Sequence, residues 1–435
     1  MKLIIRTRIL FLALILISGC RNETATDQYE VETFTEDGYT YQTVSNDPLN
    51  LRIYSLKNGL KVYMSVNKDA PRIQTVIAVK AGSSYDPSET TGLAHYLEHM
   101  VFKGTDKMGT INWKQEEELL KLIEDLYEQH RNTDDQDLKE SIYKKIDSAS
   151  QAASKFAIAN EYDKMVSSIG ANNTNAFTST EVTAYINDIP SNEFEKWIKL
   201  EKERLGKLVL RLFHTELEAV YEEFNRGQDN DSRKVGQALD KALFPNHPYG
   251  TQTTIGTSEH LKNPSMKNIR EYFDKYYVPN NMAICIAGDI DPAQTIKQIY
   301  KYFGVFEKHD VPEHKLTTAG PIEGIVVKNI FGPDKESVNI GFRFAGVNSS
   351  DEKIVAIIDM ILSNYQAGII DLDLVQKQKI LQGGAHSGFD LEYGAHVLYG
   401  SPREGQQLEE VKDLLMSALE KVKKGEFGDW LIPAI

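Results

Sequence analysis

Two histidines flank a glutamate in the stretch GLAHYLEHMVFKGT, residues 92–105. Leu93, Leu97, Met100 and Val101 recur there at helical spacing, which predicts a helix over 92–103 with Thr90 or Thr91 as its N-cap. On such a helix His95 and His99 share a face, and Glu98 lies one turn from His95. Two imidazoles one turn apart can converge on one tetrahedral ion and leave a position open for water. A carboxylate beside that water can take its proton once the metal lowers the water's pKa to about 7. The competing reading is a satisfied polar cluster on an ordinary helix.

The order His-x-x-Glu-His inverts the better-known His-Glu-x-x-His zinc motif, and the physical need is the same in both. A catalytic zinc normally takes a third protein ligand. The stretch HTELEAVYEEF, residues 214–224, reads as a helix with four glutamates. Glu216 and Glu223 are two turns apart and share a face with Ala219 and Val220. Glu218 and Glu222 form a separate pair on the more polar side. A carboxylate among small apolar residues is costly to bury unpaired, and a cation would account for it. Alternatively, all four belong to a solvated helix.

The elements that must position these groups alternate from about residue 50. GLKVYMSVN and IQTVIAVKAG read as neighbouring strands, followed by the histidine helix. A charged helical block over 114–165, broken by NTDDQD, predicts a solvated helical hairpin with the apolar seam Leu119, Leu120, Ile123 and Leu126. NNTNAFTSTEVTAYIND has strand character, helices are expected near 191–208 and 214–226, and MAICIAGDID is another strand before the helix PAQTIKQIYKYF. The class is therefore α+β, mainly antiparallel sheets with helices packed on one face. TVIAVKAGSSYDPS before the histidine helix is echoed by SVNIGFRFAGVNSS before DEKIVAIIDMIL, which predicts an internal repeat with histidines in only one copy.

The 435 residues leave room for roughly two or three domains, and 41% hydrophobic content fits a folded chain. A net charge of −14 with no basic stripe excludes nucleic acid as a partner. Lys2, Arg6 and Arg8 precede an apolar run from Ile9 to Ile17, the pattern of a secretory signal over 1–19. The run ends in ISGC, which resembles the bacterial lipobox and implies lipid on Cys20 and a membrane anchor. The expected site is the bacterial cell envelope, periplasmic or at the outer membrane. Residues 20–48 are polar and acidic and are expected to form a flexible tether. Cys285, the other cysteine, reads as a strand-core thiol.

GLAHYLEHMVFKGT, with NAFTS and ELEAVYEE in order downstream, resembles the pitrilysin-like (M16) zinc peptidases. The resemblance runs from about NGLKVYM through YYVPNNMAICIAGDID and weakly onward. It implies an M16-type pair of repeats: a catalytic domain over 49–305 with 114–165 inserted, and a second domain over 306–435, expected to be incomplete. It implies one Zn2+ per chain on His95, His99 and, by position in AVYEE, Glu223, with Glu98 as general base on the zinc-bound water and Glu216 in support. The segment NTNAFTS would be an edge strand that pairs with extended substrate, using the Asn175 amide and the main chain around Ala176. The expected activity is zinc endopeptidase cleavage of peptides or unfolded polypeptides. The expected partner is a second M16-like half or subunit. The alternative is a catalytically silent binding or scaffold subunit.

Overall fold

The computed structural model describes residues 29–314 and 317–435. The signal segment, Cys20 and the first part of the tether lie outside the described residues. Eight strands form one sheet: β1 (Val31–Glu36), β2 (Tyr39–Val44), β3 (Arg52–Ser55), β4 (Lys61–Val66), β5 (Arg72–Val79), β6 (Asn172–Thr178), β7 (Thr183–Pro190) and β8 (Met282–Gly288). Their order is β1-β2-β3-β4-β8-β5-β7-β6. A second sheet of β9 (Val338–Ala345), β10 (Gln382–Phe389) and β11 (Tyr393–Ser401) has the order β10-β11-β9. Every strand pair is antiparallel except β4 with β8. The helices used below are α1 (Leu93–Val101), α2 (Trp113–Arg131), α3 (Gln136–Ser154), α4 (Glu161–Ser168), α5 (Phe194–Gly206), α6 (Phe213–Gln228), α7 (Asp231–Leu243), α8 (Pro248–Thr251), α9 (Ser258–Lys262), α10 (Met266–Tyr276), α11 (Pro292–Phe303) and α12 (Ser350–Leu362). The α+β class with antiparallel-dominated sheets is what the structure has.

Cross-strand rows build the core of the larger sheet. Val62, Ile284, Ile77 and Tyr185 are in register across β4, β8, β5 and β7, and so are Met64, Ile286, Thr75 and Asn187. All eight are buried. Leu97 of α1, Trp197 of α5, Ile269 of α10 and Ile299 of α11 join the same apolar cluster, so these helices share one sheet face. Thr75 and Asn187 are the polar pair of the second row, and both are satisfied: the Thr75 hydroxyl donates to the Asn187 carbonyl at 2.9 Å. Asn187 also uses its side chain. Its amide oxygen accepts from Trp197 Nε1 at 2.9 Å and its nitrogen donates to Thr174 Oγ1 at 2.9 Å.

Three expectations need correction. β4 and β5 are not sheet neighbours, because β8 runs between them, parallel to β4 and antiparallel to β5. The block at 114–165 is more than a solvated hairpin. Leu120, Ile123 and Leu126 of α2 and Ile142 and Ile146 of α3 enter the main core. Each is worth roughly 1.5–3 kcal/mol, far more than the exposed i,i+4 ion pairs on its outside, at about 0.3–0.5 kcal/mol each. The tether assigned to 20–48 is also revised, since β1 and β2 form a hairpin within it that joins the sheet through β3. Its turn is Asp37–Gly38, both with positive φ, the Asp-Gly signature of a type I′ hairpin. Tyr41 packs at a tilt against Tyr54, with ring centroids 5.2 Å apart, and lies beneath Arg52, which ties the hairpin to β3.

The smaller sheet repeats part of the larger one. Its order β9-β11-β10 matches β5-β7-β6, and α12 follows β9 as α1 follows β5. The turns of the two copies touch. Glu181, between β6 and β7, accepts from the Leu391 N–H at 3.0 Å and from the Tyr249 hydroxyl.

Candidate metal centre

Helix α1 is positioned at its start by a residue outside it. Neither Thr90 nor Thr91 caps it; Gly92 is the N-cap, with φ 86°. The Asp86 carboxylate accepts from the backbone N–H groups of Gly92, Leu93 and Ala94 at 2.7, 3.2 and 2.9 Å. It takes the place of a capping side chain and lies at the positive end of the helix dipole. Full burial pushes this carboxyl up to about 8, against those three donors. Gly92 cannot carry a side chain, because a Cβ would sit 2.5 Å from the Ile255 carbonyl oxygen.

Helix α6 runs alongside and is tied to α1 by the Tyr96 hydroxyl, which donates to the Phe213 carbonyl at 2.6 Å. Its inward stripe carries Glu216 and Glu223. Glu222 points elsewhere, its side chain exposed and 4.0 Å from Arg226. Arg211, just before α6, clamps the turn after α1. Its guanidinium donates to the carbonyls of Lys103, Thr105 and Met108 and to both oxygens of Glu116 at the start of α2. Both partners of that ion pair are buried. Sequence reasoning missed this pair, whose members lie 95 residues apart.

His95, His99 and Glu223 come together. Each offers a ligand atom, and these atoms all lie within 4.8 Å of one another. Nε2 of His95 is 3.7 Å from Glu223 Oε2, and Nε2 of His99 is 3.9 Å from the same oxygen. Both distances are too long for hydrogen bonds. They are only slightly wider than the roughly 3.3 Å between ligands of a tetrahedral ion with bonds of about 2.0–2.1 Å. Burial, then the neighbouring His99, pushes His95 down to about 4, so its imidazole is neutral at physiological pH and keeps a lone pair. The donor set therefore fits a metal ion.

Glu98 and Glu216 are held by specific partners. Burial raises the Glu98 carboxyl, and the Thr178 hydroxyl, donating to its Oε2 at 2.6 Å, opposes that rise. Thr178 ends β6, and sequence reasoning did not single it out although it lies within NAFTS. Glu216 Oε1 bonds His99 Nδ1 at 2.9 Å, and its Oε2 meets Lys103 Nζ at 2.6 Å. Burial alone would raise Glu216, but these two partners outweigh it and hold the carboxyl below its ordinary value.

Strand β6 is an edge strand, and among the described residues nothing pairs with its outer side. Residues two apart on a strand share a face. Thr174, Ala176 and Thr178 are half-buried on the helix-bearing face, whereas Asn175 and Phe177 are exposed on the other face. Ala176 thus shares a face with Thr178, and the Asn175 side chain lies on the opposite face.

Comparison with known proteins identifies the family. The profile of the insulinase family (peptidase family M16) matches residues 61–125, and the profile described as the peptidase M16 inactive domain matches 265–435. The chain belongs to the M16 peptidase family. It is 24% identical over 388 residues to the uncharacterized zinc protease YmxG of Bacillus subtilis, covering 86% of this chain and 79% of that one. The fold of this M16 chain resembles the crystal structure of a protease from Helicobacter pylori, with a TM-score of 0.68, 22% identity and coverage of 88% and 82%. It also resembles the periplasmic protease PqqL of Escherichia coli, with a TM-score of 0.66, 17% identity and coverage of 89% and 39%. No helix among the described residues is long and apolar enough to cross a membrane.

Proposed function

We propose that this chain is a zinc-dependent endopeptidase acting on peptides or unfolded polypeptides. The observation that carries the proposal is the convergence of His95, His99 and Glu223 beside Glu98, at the open edge of β6. His95, His99 and Glu223 would hold one zinc per chain. Zinc, when bound, supplies a water of lowered pKa and polarises the carbonyl under attack. Glu98 is the general base. Thr178 occupies its Oε2 and leaves Oε1 to accept a proton from the attacking water and return it to the leaving nitrogen. Glu216 orients His99 through Nδ1.

The free N–H and C=O groups of β6 would bind an extended substrate by strand addition, which reads backbone shape more than side chains. Ala176 shares a face with Thr178, which holds Glu98, and the main chain there would place the scissile bond near Glu98, while Asn175 would bind substrate from the outer face. A second M16-like half or subunit is the proposed partner, because a similar protein, the probable mitochondrial-processing peptidase subunit beta of Arabidopsis thaliana, is named as a subunit. The envelope is the proposed location, with lipid on Cys20 as the anchor, on the strength of the ISGC sequence and the periplasmic neighbour.

The test is Glu98→Gln, which is nearly isosteric but cannot accept the proton. The variant should keep stoichiometric zinc and lose cleavage of an unstructured peptide. Cleavage at the wild-type rate would remove Glu98 from the mechanism. A wild-type protein that refuses zinc after reconstitution would favour the silent scaffold.

A further inference from the structure

We propose that Lys103 is a positioning residue of the metal centre, acting through Glu216 on His99. The proposal rests on the zinc reading above. His95, His99 and Lys103 follow one another at four-residue intervals, so one stripe of α1 and its first following turn carries all three. Glu223 and Glu216 form the opposing stripe on α6, two turns apart. The stripes pair in antiparallel order: His95 and His99 face Glu223, while His99 and Lys103 face Glu216.

Both oxygens of Glu216 are committed, Oε1 to His99 and Oε2 to Lys103. The carboxylate cannot rotate without breaking a charge-assisted bond. Its orientation fixes Nδ1 of His99 as the protonated nitrogen and directs the Nε2 lone pair toward Glu223 and His95. Lys103 can do this because its own backbone is anchored. Its N–H donates to the Met100 carbonyl at 3.0 Å, and its carbonyl accepts from Arg211 at 2.8 Å. Its ammonium is mostly enclosed, with 17% of the side chain exposed, so the contact is sheltered from solvent.

A simpler role for Lys103 predicts the opposite sign. If it were only a nearby positive charge, removing it would ease the approach of a dication and tighten zinc binding. If it positions His99 through Glu216, removing it loosens zinc binding.

The experiment measures zinc affinity by competition with a chromophoric chelator, which needs no turnover. The proteins are wild type, Lys103→Met, Lys103→Arg, Glu216→Gln and the Lys103→Met/Glu216→Gln double variant, each with a metal-free melting curve. Lys103→Met should weaken zinc binding roughly 10–100-fold. Lys103→Arg should recover most of the loss. In the Glu216→Gln background Lys103→Met should add little, because its route to His99 is already cut. If Lys103→Met misfolds, the comparison of Lys103→Arg with Lys103→Gln carries the same test. Zinc binding by Lys103→Met as tight as or tighter than wild type, or an equal loss in both backgrounds, overturns the proposal. Wild type that takes up no zinc overturns the metallopeptidase reading and this proposal with it. Tight wild-type binding with an indifferent Lys103 overturns this proposal alone.

Discussion

The Thr178 hydroxyl donates to Glu98 Oε2 at 2.6 Å, across 80 residues of sequence. The last residue of the free edge strand therefore holds the carboxylate that stands beside the metal-type trio. On the proposed reading, substrate docking and proton transfer would share a single backbone element. A hydrogen bond to a charged group is worth roughly 1.5–3 kcal/mol.

Thr178→Val keeps the shape of the side chain and removes the donor. The expected result is a kcat lowered about ten- to hundredfold, with KM little changed and zinc content intact. Thr178→Ser should restore most of the rate. Equal kcat in the valine variant and wild type would show that Glu98 needs no such support.

The adjacent glutamates of α6 differ in placement, and metal binding should separate them. Glu223 faces the histidines, whereas Glu222 is exposed beside Arg226. Glu223→Gln should lose stoichiometric zinc, measured by elemental analysis after dialysis, and Glu222→Gln should keep it. Chelation should abolish cleavage and added zinc restore it. A zinc-replete Glu223→Gln variant would show that the third ligand has been misassigned.

Arg211 and Glu116 form a buried pair whose loss should be felt throughout the first sheet's helices. Arg211→Ala strands a buried carboxylate and frees the turn after α1. A loss of about 3–5 kcal/mol is expected in urea unfolding. Replacing both residues by methionine should cost less than Arg211→Ala, because no lone charge is then buried. A loss under about 1 kcal/mol for Arg211→Ala would mean that water reaches Glu116.

How much of this could be read from the sequence follows from the range of each interaction. His95, Glu98 and His99 are legible because a helical turn brings them together, and the shared face of Glu216 and Glu223 is legible for the same reason. The free edge of β6 came from family resemblance, since strand composition does not say where a strand lies in a sheet. Asp86 escaped notice because it caps α1 from six residues before Gly92, past two better-looking threonines. The Arg211–Glu116 and Thr178–Glu98 contacts and the insertion of β8 between β4 and β5 all join distant segments. No local period encodes them. The β1–β2 hairpin is legible in Asp37–Gly38 and its Val, Phe, Thr and Tyr content, but the polar, acidic composition of 20–48 points the other way.

The contact between the two sheets should depend on pH. Burial, followed by the charge of Glu181, pushes Asp390 up to about 6. Asp240 is likewise raised to about 6, by burial and then by Asp390. Glu181 meanwhile receives the Leu391 N–H and the Tyr249 hydroxyl, so the three carboxyl groups cluster where the repeats meet. A carboxyl with a raised folded pKa holds its proton more tightly in the native state than in the unfolded one. Its stabilising contribution is complete below the ordinary value of 3.8 and is lost as pH rises through about 6. Asp390→Asn removes the titration while the backbone bonds of residue 390 to Val347 and Tyr393 can persist. The melting temperature of Asp390→Asn relative to wild type should therefore rise between about pH 4 and pH 7 and then level off. Comparing the two proteins cancels the titration of groups that do not interact with Asp390, and relief of Asp240, which Asp390 helps to raise, acts in the same direction. A difference that stays flat across that range would mean Asp390 is solvated and ionises as an ordinary aspartate.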